Sequence, residues 1–103
     1  MNKPLVLVVE DDTPVRNLIT TTLKTHEYRY LSAQNGASAV MEALSHNPDI
    51  VLLDLGLPDM DGMKILKEVR AWSNTPIIVV SARDHEKDKV EALDMGADDY
   101  ITK

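Results

Sequence analysis

Residues Leu5–Val9 read LVLVV, and this continuous apolar run stops at three consecutive acidic residues. Two later runs have the same character, Ile50–Leu53 (IVLL) and Ile77–Val80 (IIVV). Continuous runs rich in β-branched residues are typical of strands buried on both faces of a parallel sheet. The sequence therefore predicts three interior strands. Tyr28–Ser32 alternates and is predicted to be an edge strand, and Asp99–Thr102 is a weaker fifth candidate.

Segments of helical period separate these runs. The first carries apolar residues at helical spacing, and Thr13 is predicted to cap it with Pro14 at its first helical position. Gly96 is a natural stop for the last one. The predicted helices are Pro14–Thr25, Ala37–Ser45, Met63–Trp72 and His85–Met95.

Strands that alternate with helices of about ten residues indicate β-α-β crossovers, and hence an α/β fold with a doubly wound parallel sheet. Four helices cannot cover both faces of five strands evenly. We therefore expect residues 1–103 to form one domain that is incomplete at its C-terminal end.

Composition excludes several classes of function. Seventeen acidic and eleven basic residues give a net charge of −6, which disfavours binding to a phosphate backbone. The chain has no cysteine, which excludes disulfides, thiolate metal sites and a cysteine nucleophile.

The same sequence gives an expectation about location. No apolar run reaches the roughly 18 residues of a membrane span. The apolar part of Met1–Val9 is too short for a secretory signal, and the residues directly after it are acidic, which such a signal disfavours. We expect a cytoplasmic protein.

Carboxylates follow two of the predicted interior strands. Glu10, Asp11 and Asp12 come after the first, and Asp54 comes after Ile50–Leu53. Ligands of open parallel sheets bind beyond the carboxyl ends of the strands. Clustered carboxylates repel one another, a divalent cation removes that cost, and all-oxygen ligands favour Mg²⁺. The alternative is that the acids form a solvated loop that caps a helix.

Asp54 is also a candidate phosphoryl acceptor, because a carboxylate can form an acyl phosphate. Gly56 lets the following loop approach closely, so its carbonyl is a candidate metal ligand. Ser81 could donate its hydroxyl to a phosphoryl oxygen, and Lys103 could offset charge. Each residue alone has a simpler interpretation: Asp54 and Ser81 as turn residues, Lys103 as a solvated lysine and Tyr100 as a core aromatic.

The sequence lacks the motifs of nucleotide binding, of serine hydrolases and of histidine metal sites. Nucleotide-binding glycine loops of the G-x-x-x-x-G-K-[ST] and G-x-G-x-x-G types are absent, as is the G-x-S-x-G elbow of hydrolases. His26, His46 and His85 lie in or beside predicted helices and share no metal-ligand spacing.

Four segments together resemble a response-regulator receiver domain: VVEDD (8–12), LDLGLPDMDG (53–62), VVSAR (79–83) and GADDYITK (96–103). The likeness runs along the whole chain in the family's order and spacing. It implies a flavodoxin-like, CheY-like fold with strand order 2-1-3-4-5, whose fifth helix would lie beyond residue 103.

The resemblance also implies roles for matching residues. Asp54 would be the phospho-acceptor. The metal ligands would be Asp11 directly, Glu10 through water, Asp54 and the Gly56 carbonyl, whereas Asp12 lies one position past the family's acidic pair. Ser81 and Tyr100 match the switch residues, and Lys103 matches the lysine that pairs with the phosphoryl group.

Residues 68–83 (EVRAWSNTPIIVVSAR) are similar to the OmpR/PhoB subfamily, within it to regulators of a high-affinity potassium-uptake operon. This implies a sensor histidine kinase as phosphoryl donor, dimerisation through helix 4, strand 5 and helix 5, and a winged-helix DNA-binding domain beyond residue 103.

Two other functions compete with this phosphorylation switch. One is a phosphate-independent interaction module, but such receivers lack the acceptor or the lysine, and this sequence has Asp54 and Lys103. The other is an aspartate-based phosphatase. Those enzymes have a second aspartate two residues after the nucleophile, where this chain has Gly56. We therefore expect a regulator rather than an enzyme.

Overall fold

A computed structural model describes residues 3–103, which form a five-stranded sheet flanked by four helices. The elements in chain order are β1 Leu5–Val9, α1 Thr13–Thr25, β2 Arg29–Ala33, α2 Gly36–His46, β3 Ile50–Leu53, α3 Gly62–Arg70, β4 Ile77–Ser81, α4 Glu86–Asp94 and β5 Asp99–Thr102. None of the helices in this part of the chain has the length and apolar character needed to cross a bilayer.

All strand pairs are parallel, and the strand order is β2-β1-β3-β4-β5. The predicted fold class and strand order are therefore confirmed. The chain moves outward from β1 to β2 and then crosses back to β3 on the other side of β1. This change of direction opens a crevice at the carboxyl ends of β1 and β3, where ligands of such sheets bind.

The predicted start of β2 is wrong by one residue, because the backbone N–H of Tyr28 closes the C-terminal end of α1. Glu27 adopts a left-handed backbone (φ 63°), and the Tyr28 N–H donates to the Leu23 carbonyl at 2.9 Å. This closure satisfies an orphan carbonyl of the helix end. Tyr28 cannot donate the same N–H to the sheet, so the strand begins at Arg29.

The start of α1 also differs from the prediction. Asp12, not Thr13, is the N-cap, and its carboxylate accepts the Val15 N–H at 3.1 Å. Pro14 therefore stands at the second helical position. One alternative left open by the sequence was that the acidic residues after β1 cap a helix. For Asp12 this alternative is correct.

The two faces of the sheet are covered unequally. Leu7, Val9, Val51, Leu53 and Val79 lie on one face and are buried against α2, α3 and α4. On the other face α1 covers β1, but the side chains of β3 and β4 are only half-buried, and Ile101 of β5 is 49% exposed. The expected uneven coverage is thus confirmed.

Candidate functional site

Three carboxylates meet at the crevice between β1 and β3. The register pairs Val9 with Leu53, so the next residues of the two strands, Glu10 and Asp54, emerge side by side. The Asp54 N–H donates to the Val9 carbonyl at 3.0 Å and continues the ladder. Oxygens of Glu10, Asp11 and Asp54 lie within 4.8 Å of one another. The structure thus brings together the carboxylates that the sequence predicted to be neighbours.

The cluster is mostly buried and contacts a single ammonium group among the described residues. Glu10 is 2% exposed and Asp54 is 7% exposed, whereas Asp11 is open to solvent. The Lys103 Nζ lies 2.6 Å from Glu10 Oε1 and 3.4 Å from Asp54 Oδ2. A hydrogen bond from the Lys103 N–H to the Ser81 carbonyl (2.8 Å) fixes the backbone at that point.

The pKa values of Glu10 and Lys103 are both raised, for different reasons. Burial raises the pKa of Glu10 above its usual range, and the neighbouring Asp54 adds to this, against the opposing effect of Lys103. Burial lowers the pKa of Lys103, but its hydrogen bond to Glu10 and the charge of Asp54 outweigh burial, so the net shift is upward. The ammonium therefore stays charged, and the buried Glu10 carboxylate carries an unmet electrostatic cost.

Ser81 ends β4 at the same edge of the sheet. It is 1% exposed, and its Oγ accepts the Arg83 N–H at 3.2 Å. The side-chain hydrogen bond of Ser81 is thus made within its own loop.

Tyr100 packs against the core from β5, and its hydroxyl donates to the Arg83 carbonyl at 2.7 Å. The aromatic ring and the loop after β4 are therefore in contact. A change in the position of this loop would therefore move the hydrogen-bond acceptor of the Tyr100 hydroxyl.

Residues 54–61, the β3–α3 loop, fold back on themselves beside Asp54. The Gly56 N–H donates to Asp54 Oδ1 at 3.2 Å, and Gly56 pairs with Asp61 in an antiparallel bridge. The Gly62 N–H closes the loop on the Leu55 carbonyl at 2.9 Å. A Cβ atom at Gly62 would lie 2.6 Å from the Leu55 Cα, so this closure requires glycine.

Sequence reasoning missed two arginines that hold the loops of the site. Arg16 donates to the carbonyls of Glu10 (3.0 Å) and Asp11 (3.3 Å) and so anchors the β1–α1 loop. Arg83 reaches the Asp61 carboxylate and the Leu55 carbonyl, each at 3.4 Å, across the loops after β3 and β4. The acidic residues were predicted because they directly follow strands. Neither arginine directly follows a strand, so the same reasoning could not identify them.

The donor set suits a hard divalent cation. Three carboxylates supply oxygen ligands, which such cations prefer. The charge cost of the buried Glu10 is what a bound cation would relieve.

Comparison with known proteins assigns the family. The response regulator receiver domain matches residues 6–103. The chain belongs to this family. The transcriptional regulatory protein KdpE of Mycobacterium tuberculosis is 48% identical over 99 residues, which are 96% of this receiver domain and 44% of that protein. The KDP operon transcriptional regulatory protein KdpE of Escherichia coli K12 is 45% identical over 98 residues, 95% of this chain and 44% of that one. The chain thus spans less than half the length of these relatives.

Solved structures agree with the fold of this receiver domain. The receiver domain of the Francisella response regulator 1452 is 35% identical with a TM-score of 0.92, covering 98% of this chain and 84% of that one. The response regulator TrrA of Thermotoga maritima, solved in complex with Mg²⁺ and BeF, is 30% identical with a TM-score of 0.87. It covers 100% of this chain and 87% of that one.

Proposed function

We propose that this receiver domain is a phosphorylation-controlled switch in which Asp54 accepts a phosphoryl group from the phosphohistidine of a sensor histidine kinase. One observation carries the proposal: Asp54 ends a buried strand within 4.8 Å of two further carboxylates and 3.4 Å from an ammonium group. In the transfer, an Asp54 oxygen forms a bond to phosphorus while the bond between phosphorus and the histidine nitrogen breaks. The bonding electrons return to the imidazole.

The receiver contributes position and charge to this step, since phosphoryl transfer depends mainly on those two. Lys103 holds a positive charge beside Asp54 and can offset charge on the transferring group. Asp11, Asp54 and the Gly56 carbonyl would hold Mg²⁺ directly, and Glu10 through water. When bound, Mg²⁺ supplies charge neutralisation and a fixed orientation for the phosphoryl oxygens.

The switch would run through the loop after β4. Ser81 exchanges its contact within the loop for a hydrogen bond to the phosphoryl oxygen, and the loop moves with it. Tyr100 follows because its hydroxyl is bound to the Arg83 carbonyl of that loop. The equilibrium shifts by the contacts that exist only in the phosphorylated form.

The likeness to KdpE supports a fuller proposal for the whole protein. It would be a cytoplasmic transcription regulator of a two-component phosphorelay that controls potassium-uptake genes, with a KdpD-like sensor histidine kinase as partner. DNA would bind only through a winged-helix domain beyond residue 103. Homodimers would form through α4, β5 and a following fifth helix. Loss of the phosphoryl group would limit the signal, without turnover of an external substrate as in an enzyme.

Beryllofluoride tests the acceptor assignment, because it bonds to a carboxylate oxygen as a phosphoryl stand-in. We expect a bound ¹⁹F NMR signal that requires Mg²⁺ in the wild type and is absent in Asp54→Asn. Asp94→Asn, which changes an exposed aspartate at the end of α4, is the matched control and should keep the signal. A signal that persists in Asp54→Asn would refute the acceptor. A folded wild type without any signal would favour the phosphate-independent module.

A further inference from the structure

The tip of the β3–α3 loop is attached to the start of α2. The two carboxylate oxygens of Asp59 accept hydrogen bonds from successive backbone groups, the Gly36 N–H at 2.7 Å and the Ala37 N–H at 3.1 Å. These residues are 22 and 23 positions away in the chain. A side chain of one loop therefore caps a helix of another segment.

Asp59 completes the capping of this helix. The first four N–H groups of a helix have no partner within it. In α2 these are the N–H groups of Asn35, Gly36, Ala37 and Ser38. The side chain of Asn35, the N-cap, accepts the Ser38 N–H at 2.8 Å, and Asp59 accepts those of Gly36 and Ala37. The Asn35 carbonyl accepts the Ala39 N–H at 3.0 Å, which is the first hydrogen bond within the helix itself. The helix start thus depends on one local residue and one distant residue, and this provides a matched pair for experiment.

Packing beside Asp59 makes the attachment close. A Cβ atom at Gly36 would lie 2.5 Å from Met60 Cγ and 2.6 Å from its Sδ. Glycine at this position therefore lets the loop rest directly on the helix start. Hydrogen bonds and packing act at adjacent residues of the loop, Asp59 and Met60.

The remainder of the loop transmits this constraint toward Asp54. The Gly56–Asp61 bridge and the Gly62–Leu55 hydrogen bond close the loop at its base. Asp59 lies in the chain between Gly56 and Asp61, the two residues of the bridge. A loop closed at the base and fixed at the tip has little freedom to reorient Gly56.

We infer that Asp59 is a positioning residue for the metal site: by fixing the β3–α3 loop to the start of α2, it holds the Gly56 carbonyl in the orientation that binds Mg²⁺. This inference rests on the proposed function, which assigns that carbonyl to the metal. The hydrogen bond from the Gly36 N–H lowers the pKa of Asp59, so the attachment persists throughout the neutral range.

The test compares Asp59→Ala with Asn35→Ala by ¹H–¹⁵N NMR titration with MgCl₂. Asp59→Ala leaves two N–H groups of this helix start without a partner and Asn35→Ala leaves one, but only the first variant detaches the loop. We expect Asp59→Ala to weaken Mg²⁺ binding about tenfold, as is typical for residues that orient metal ligands. Asn35→Ala should bind as the wild type does. Hydrogen exchange of the Gly56 amide should quicken only in Asp59→Ala.

Equal Mg²⁺ affinity in Asp59→Ala and wild type would overturn the inference, as would an equal loss in both variants. Asp59→Asn keeps one acceptor oxygen and serves if the alanine variant does not fold; its affinity should be intermediate, and wild-type affinity would again overturn the inference. Failure of the proposed function is distinguishable, because the wild type itself would then show no Mg²⁺-dependent shifts at Glu10, Asp11 and Asp54.

Discussion

Lys103 makes its shorter contact with Glu10, at 2.6 Å, and its longer one with Asp54, at 3.4 Å. The sequence predicted that these residues share one site, because all three follow strand ends. It could not predict which acid takes the closer contact, since this depends on the reach of side chains that differ by one methylene group. In the described structure, the ammonium is thus held mainly by the residue beside the acceptor.

Replacing Lys103 with methionine tests this charge balance. The variant leaves the buried Glu10 carboxylate without its cation. We expect the free energy of unfolding in the absence of metal to fall by about 1–3 kcal/mol, less than for a fully buried pair, because the Lys103 side chain is 24% exposed. Saturating Mg²⁺ should reduce the difference in unfolding free energy between wild type and Lys103→Met, since a divalent cation restores the missing positive charge. Urea denaturation with and without Mg²⁺ measures both effects.

Lys64→Met is the control, because Lys64 is exposed on α3, away from the acidic cluster. It should leave stability unchanged within about 0.5 kcal/mol. Equal losses in the two variants, or a loss in Lys103→Met that Mg²⁺ leaves untouched, would contradict the charge balance.

The contribution of Asp59 to the free energy of unfolding should depend on pH, and the direction of this dependence follows from its pKa. Its pKa in the folded protein is lowered from 3.8 by its hydrogen bonds to the start of α2. A lowered carboxyl pKa means stability that is present above pH 3.8 and is lost as the pH falls through the folded value. The difference in unfolding free energy between wild type and Asp59→Ala should therefore narrow in that acidic range. The corresponding difference for Asn35→Ala should stay constant, because an amide does not titrate; parallel curves for both variants would be the contrary result.

At the scale of elements, the strand runs were predictable because burial on both faces leaves a continuous apolar signal in LVLVV, IVLL and IIVV. The residues at which helices and strands begin and end were less predictable. Tyr28 favours a strand by residue type, yet its N–H is used by the last turn of α1. Asp59 shows the same limit for the site: nothing local to an aspartate in a loop reveals that it caps a helix 22 residues earlier.

Arg70 connects the end of α3 to the start of β5 and yields a prediction for these elements. Its guanidinium donates to the carbonyls of Gly96, Ser73 and Thr75 and to the Asp98 carboxylate. Lysine keeps the charge but cannot reproduce this planar set of donors. We expect Arg70→Lys to lower the free energy of unfolding by about 2 kcal/mol.

Arg29→Lys is the comparison for Arg70, because Arg29 is exposed and its Nε makes a single hydrogen bond, to the Lys3 carbonyl. Urea denaturation should show a change of less than about 0.5 kcal/mol for this variant. A change below about 0.5 kcal/mol for Arg70→Lys as well would show that the connection between α3 and β5 contributes little.

Over the whole molecule, the sequence predicted the fold class and the gathering of functional groups at one edge of the sheet. Both follow from the parallel topology, which places every strand's carboxyl end on the same side. It also predicted uneven coverage of the sheet, but not which face is open. That depends on which side of the sheet each helix packs against, which a count of helices cannot decide.

Intact-mass measurement after incubation with acetyl phosphate tests most directly whether Asp54 accepts a phosphoryl group with the help of Mg²⁺. We predict a single phosphoryl adduct on the wild type, absent from Asp54→Asn and absent when Mg²⁺ is removed. Circular dichroism in parallel verifies that each sample is folded. A folded wild type that gains no adduct, or an adduct that survives in Asp54→Asn, would contradict the account.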